Sequence, residues 1–164
     1  MSALTLFCDI IQSEMQLEDD QVYLWDQKLN IPPDDRLYIA VSVQSCKPYS
    51  NIREMVSTVS GLEEHQTVNM QATLGIDIIS RSSEARDRKE EVIMALNSTL
   101  AQKTQETYAM LIGKVSTGFN NLSEIEGAAI PYRFVVSCSL QYKVTKQKLV
   151  EYYDNYTNSV ITEA

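Results

Sequence analysis

The feature that most constrains the fold is a run of alternating apolar and polar residues that ends at Ser80. Apolar side chains occupy the even positions from Val68 to Ile78, and polar side chains occupy most odd positions from Thr67 to Asp77. This period of two predicts a strand with one buried face, because successive side chains of a strand point to opposite faces. At roughly 3.3 Å per residue the strand would span about 40 Å, longer than most strands. We therefore expect it to reach beyond its own domain and to contact a neighbouring subunit.

The rest of the apolar pattern predicts helices and strands in mixed order. Residues 3–17 and 84–112 have helical spacing, whereas residues 22–25, 37–43, 122–126 and 132–144 have strand character. The second helix begins beside capping serines and buries a stripe formed by Ala85, Val92, Ile93, Leu96 and Leu100. This order predicts an α+β fold, with a mostly antiparallel mixed sheet of long strands and helices packed on one face.

Two segments lack a regular pattern and are the candidates for assembly contacts. Residues 44–65 contain the strand-breaking sequence Lys-Pro-Tyr-Ser and predict a functional loop, within which residues 52–59 form either a helical turn or a strand edge. Residues 146–164 form either a short helix or an arm that orders on a partner, and their tyrosines are typical of contact surfaces. The candidate contacts in the two segments are Lys47, Tyr49, Arg53, Glu63, Glu64, Tyr152, Tyr153 and Tyr156.

Length and charge set limits on the class of protein. The 164 residues predict a single domain over residues 1–164. A net charge of −8 argues against a protein that reads nucleic-acid sequence, whose contact surface is normally basic. The acidity fits an ordinary soluble subunit or, alternatively, a pore wall that repels passing DNA. The three scattered cysteines predict reduced thiols in a cytosolic product, and we expect neither a secretory signal nor a membrane span.

Residues suited to catalysis are nearly absent from the sequence. His65 is the only histidine, so any triad would have to be built around it, and an exposed histidine without a catalytic role is the favoured interpretation. The sequence contains neither a glycine-rich phosphate loop nor a zinc-type spacing, and the paired aspartates at 19–20 and 34–35 favour turns over a cation site. We therefore expect no enzyme activity, no metal and no cofactor.

The pattern resembles the small tail-terminator and neck proteins of long-tailed bacteriophages. The matching pieces cover most of the chain in order and are Asn-Ile-Pro at 30–32, the strand at 36–41, the long strand at 71–80, the helix from Glu84 and residues 126–134. No catalytic residues are carried over from this family, and the 44–65 segment and the tail after Lys146 match none of its motifs.

The resemblance implies a virion protein, made in the host bacterial cytoplasm, that forms a homohexameric ring at the head-proximal end of the tail tube. Its partners would be the tail-tube protein and the head–tail connector or stopper protein. Genomic DNA would pass through without specific binding, and no membrane would be involved. Within the same assembly class, a head-completion or stopper protein and a tail-tube subunit remain alternatives. Outside it, the alternatives are a small-molecule binding module and an enzyme centred on His65.

Overall fold

A computed structural model describes residues 2–25, 32–59, 61–116, 118–123 and 132–150, apart from the side chain of Trp25. These residues form three helices, α1 (Ala3–Glu14), α2 (Glu84–Leu96) and α3 (Thr99–Tyr108). They also form six strands, β1 (Val22–Trp25), β2 (Tyr38–Thr58), β3 (Gly61–Ser80), β4 (Leu111–Ile112), β5 (Asn120–Asn121) and β6 (Tyr132–Leu149). The candidates Tyr152, Tyr153 and Tyr156 lie outside the described residues.

The described strands make one mixed sheet in the order β1-β2-β3-β6-β4, and β5 pairs with β6 beside β4. β1 runs parallel to β2, and every other pairing is antiparallel. This confirms the predicted fold class, an α+β fold with a mostly antiparallel mixed sheet. Of the described helices, none is long and apolar enough to cross a membrane.

The main core lies between the helices and one face of the sheet. The even-numbered residues of β3 point to this side, and Ile76 and Ile78 are fully buried in one cluster with Val92 and Leu96 of α2. These contacts confirm the alternation predicted for the long strand. The predicted helical stripe was wrong at Leu100, which is 38% exposed because α3 turns that side chain away from the core.

The prediction of an irregular loop over residues 44–65 was wrong, because these residues complete a long hairpin of β2 and β3. Of the two alternatives for residues 52–59, the strand is confirmed as far as Thr58. Two shifts of register, one between Val43 and Ser45 and one between Pro48 and Ser50, interrupt the period of two in β2. Each shift inserts a residue, which moves the following side chains to the other face of the strand. The apolar pattern therefore breaks although the strand continues.

The predicted helix over residues 84–112 is two helices separated at Asn97 and Ser98. The Ser98 hydroxyl accepts a hydrogen bond from the Ala101 backbone N–H and starts α3, as helix-capping serines do. The Asn97 side chain donates to the Ile93 carbonyl at the end of α2. α3 ends at Tyr108 because Ala109 adopts a left-handed conformation with φ of 49°.

Three further boundaries differ from the predictions. α1 ends at Glu14, before the predicted end at residue 17, and Met15 is its C-terminal capping residue. The strand expected at 122–126 lies instead at Asn120–Asn121, and residues 124–126 are outside the described part. β6 continues to Leu149, so residues 146–149 of the predicted tail belong to the sheet.

Candidate assembly surface: a three-stranded arm

Three strands extend from the helix-covered part of the sheet as a long arm, formed by residues 45–58 of β2, 61–73 of β3 and 141–149 of β6. Pairing between β3 and β6 continues without a register shift from Ser80↔Tyr132 to Glu63↔Leu149. Burial falls sharply along the way, since Leu140 is fully buried and Val144 is 53% exposed. At about 3.3 Å per residue, residues 61–73 give the arm a length of roughly 40 Å.

The two faces of the arm differ in chemistry. Residues that face each other across antiparallel strands project to the same side, so the register extends the core-facing side of the sheet along the arm. This helix-side face continues the apolar core with Val68, Met70, Tyr142 and Val144. The opposite face is mainly uncharged and polar, and on it the hydroxyls of Thr67 and Thr145 lie 3.2 Å apart.

The helix-side face becomes cationic towards the tip of the arm. Arg53 donates to Glu64 at 2.9 Å, which neutralises that carboxylate. Lys146 and Lys148 pair in register with Gln66 and Glu64, and neither makes an ion pair with another described residue. Two lysines therefore stay uncompensated beside the apolar stripe.

A groove joins the arm to the helix layer. Its first part, about 340 Å³, is lined by Ala3, Leu6, Tyr108, Tyr142 and Val144, among others. Cys46 Sγ lies 3.5 Å from the Tyr142 hydroxyl at the base of the arm, and this contact, together with burial, raises the pKa of Tyr142 to about 12.

The second part of the groove, about 320 Å³, runs between α1 and α3 and shares Leu6 and Tyr108 with the first. Asp9 and Ser13 of α1 border it on one side, and the partly exposed Leu100 of α3 borders it on the other. The two parts together make one furrow along α1.

Both edges of the arm lack strand partners among the described residues. The Ser139 and Ser137 carbonyls accept from the Gly113 and Ser116 N–H groups at 2.7 Å, so odd-numbered residues of β6 direct their backbone groups outwards. Past Gln141, which is opposite Leu111, no described strand covers that edge. On the other side, β1 covers only residues 39–42 of β2.

The other clusters of polar residues have structural partners. Arg36 binds Glu18, Asp20 and Asp34 at 2.9–3.0 Å, so two of the paired aspartates serve an arginine that joins the start of β2 to the loop after α1. Although burial opposes it, hydrogen bonds from Tyr38 and Arg36 lower the pKa of Asp34. Within the described residues, no group of three or more His, Cys, Asp or Glu side chains is arranged to hold a metal.

The structure separates the predicted contact residues into two groups. Arg53 and Glu64 meet on the helix-side face, whereas Lys47 and Glu63 lie on the opposite face. A carboxylate oxygen of Glu63 lies 3.1 Å from His65 Nε2, within hydrogen-bonding distance. Tyr49 is 56% exposed and lies at the second register shift. His65 is therefore a strand residue with a carboxylate neighbour, and its predicted place in an exposed loop was wrong.

Sequence reasoning missed the two lysines near the tip. Lys146 and Lys148 continue the even-numbered series that includes Tyr142 and Val144, so the signal was present in the sequence. The predicted strand ends at residue 144 because the apolar members of the series end there. The change from apolar to cationic side chains marks the limit of the core and not the end of the strand.

Comparisons with known proteins give a likeness of fold. No protein-family model matches the sequence, and no curated protein matches it significantly. Among solved structures, the chain is similar to the sheath/tube terminator of an extracellular contractile injection system, PVC, in the extended state. The TM-score is 0.57 at 9% identity, over 100% of this chain and 64% of that one. The chain thus spans less than two thirds of the length of that terminator, with which it shares a fold.

Proposed function

We propose that the chain is a structural subunit that ends a tail-like tube as a closed ring of identical copies. The observation that carries the proposal is the arm, a ribbon roughly 40 Å long whose outer part exposes two faces and two strand edges. A ribbon of this kind buries little of its own apolar surface, and exposed sheet edges are usually paired or covered. Contacts with neighbouring subunits would stabilise it.

The likeness of fold to a sheath/tube terminator supports the general role. The resemblance to phage tail-terminator and neck proteins supplies the finer form of the proposal. In that form six copies surround the head-proximal end of a tail tube, stop its growth and bind the head–tail connector or stopper protein. The subunit would be part of the virion.

The distribution of charge bears on the channel of such a ring. The arm has five cations, Lys47, Arg53, Lys143, Lys146 and Lys148, against three carboxylates, in a chain whose net charge is −8. The acidic body is therefore the better wall for a channel through which DNA passes without being held. The proposal includes no reaction, and burial raises the pKa of the Cys8 and Cys138 thiols to about 12, which makes both poor nucleophiles.

Native mass spectrometry of the purified chain, together with negative-stain imaging, tests this proposal. We expect a discrete ring, with six as the expected copy number. Open-ended tubes would favour a tail-tube subunit. A monomer at high concentration would contradict the ring, and a monomer that retains a small molecule would favour a binding module.

A further inference from the structure

We infer that the helix-side face of the arm docks into the groove between α1 and α3 of a second copy of this chain. The inference rests on the proposed function, since it names the two surfaces through which copies would meet. Its strongest support is that one molecule carries an apolar, cationic projection and an apolar, acidic groove at separate places.

The projection is the outer part of the helix-side face. It presents apolar atoms of Met55, which is 50% exposed, beside the uncompensated Lys146 and Lys148. Val68 and Met70 extend this apolar strip towards the core. A face of this composition suits a partner that is apolar in the middle and negatively charged at its rim.

The groove has this composition. Its floor and walls include Leu6, Ile10, Leu100 and Tyr108, of which Leu100 and Tyr108 are 38% and 52% exposed. Asp9 borders the groove and makes no ion pair with a described residue. Asp9 is the only charged residue among the described residues that line this part of the groove.

Tyr142 and Val144 at the base of the arm line the first part of the groove, but the tip of the arm cannot fold back onto the part between α1 and α3 of its own chain. The ladder between β3 and β6 is regular from the core to the tip, so the outer arm is held away from α1 and α3 of the same chain. Reversing its direction would break that ladder. The arm that reaches a groove must therefore come from another copy.

The faces of the arm are better suited to docking than its edges. Pro48, the register shifts of β2 and the lysines of β6 are features that limit pairing between sheet edges. With strands about 4.8 Å apart, two strands of roughly 40 Å and the shorter β6 of roughly 30 Å offer a face of about 500 Å². This is of the order of the ~800 Å² per partner in a stable interface. Because the projection and the groove are different surfaces, the contact is heterologous and closes into a ring by rotation.

Charge reversal tests this inference directly. K146E/K148E gives the arm a negative tip, and D9K/S13K gives the groove a positive border. We expect each variant alone to lose at least tenfold in ring fraction by native mass spectrometry. Mixing the two should restore rings in which they alternate, because each reversed surface then meets its complement.

K47E is the matched control for K148E alone, because each replaces one lysine by glutamate, but Lys47 lies on the opposite face of the arm and does not line the groove. It should form rings as the wild type does. Equal loss of rings in K47E and in K148E, or no recovery on mixing K146E/K148E with D9K/S13K, would overturn the inference. If the wild type and every charge-reversed variant all form rings, the docking contact is overturned and the proposed function stands. Absence of wild-type rings would contradict the proposed function itself.

Discussion

Arg133 of β6 donates from Nε to Asp77 Oδ1 of β3 at 2.8 Å, and the two side chains are only 17% and 5% exposed. The pair lies on the side of the sheet away from α2, between the two strands that continue into the arm. Removing one partner of a buried ion pair leaves the other charge without compensation, which is usually more destabilising than losing both.

We predict that Asp77→Ala lowers the free energy of unfolding by about 3 kcal/mol, because Arg133 loses a buried charged partner. Asp77→Asn keeps an acceptor oxygen and should cost less. Chemical denaturation followed by circular dichroism measures both. Equal stabilities of Asp77→Ala and the wild type would show that the pair does not stabilise the junction of β3 and β6.

A second prediction concerns the core. Ile76→Ala should destabilise the protein by about 2–5 kcal/mol, as other truncations of fully buried aliphatic side chains do. Ile76 is inaccessible to solvent on the side of α2. Thr73 is only partly buried and points to the opposite face, so Thr73→Ala is the control and should have a small effect. An unchanged melting transition in Ile76→Ala would contradict the assignment of faces.

The cysteines give a third prediction, read with a thiol reagent such as DTNB. At pH 8 the unassembled native chain should react at one thiol, the exposed Cys46, and the denatured chain at all three. Burial, with a smaller contribution from Asp9 at Cys8, raises the pKa of Cys8 and Cys138 to about 12. Rapid reaction at three native thiols would contradict this burial.

The same shifts fix the direction of a pH dependence. A pKa that is higher in the folded than in the unfolded chain means that folding favours the neutral thiol. The stabilisation is complete below the ordinary value of 9.0 and is lost as the pH rises towards 12. The denaturant concentration at the midpoint of unfolding should therefore decrease as the pH is raised from 9 to 12.

The sequence predicted the buried parts of the fold better than the exposed ones. The alternation of β3 and β6 follows from burial on one face, so Leu74 and Ile76 could be placed correctly. The arm was missed because both of its faces meet solvent, which removes the apolar signal, and because the register shifts in β2 change the parity of the pattern. The helix break at Ser98 was missed because capping depends on a local side-chain hydrogen bond, which competes with a continuous apolar stripe.

The candidate surface was predictable only in part. Arg53 and Glu64 lie on different strands and meet only because of the register of the hairpin. The sequence around either residue therefore does not show that both lie on the helix-side face. Lys146 and Lys148 could have been found by extending the alternation of β6. The groove between α1 and α3 depends on how two helices pack, which the sequence pattern does not specify.

His65 provides the fourth prediction. Its Nε2 lies 3.1 Å from a Glu63 carboxylate on the opposite face of the arm, and the proposed function assigns it no chemical role. His65→Ala should therefore fold, assemble and complement loss of the natural protein as the wild type does. Loss of function in a folded and assembled His65→Ala variant would revive an enzyme centred on this residue.

If the chain ends the growth of a tube, tubes made without it should have a different length. The gene is removed from the system that encodes it, and the particles are measured by electron microscopy, with the wild-type gene supplied in trans as control. We predict overlong tubes, unjoined from heads if the system is a phage, and normal lengths on complementation. Tubes of normal length that attach firmly in the absence of the protein would contradict a role in ending tube growth.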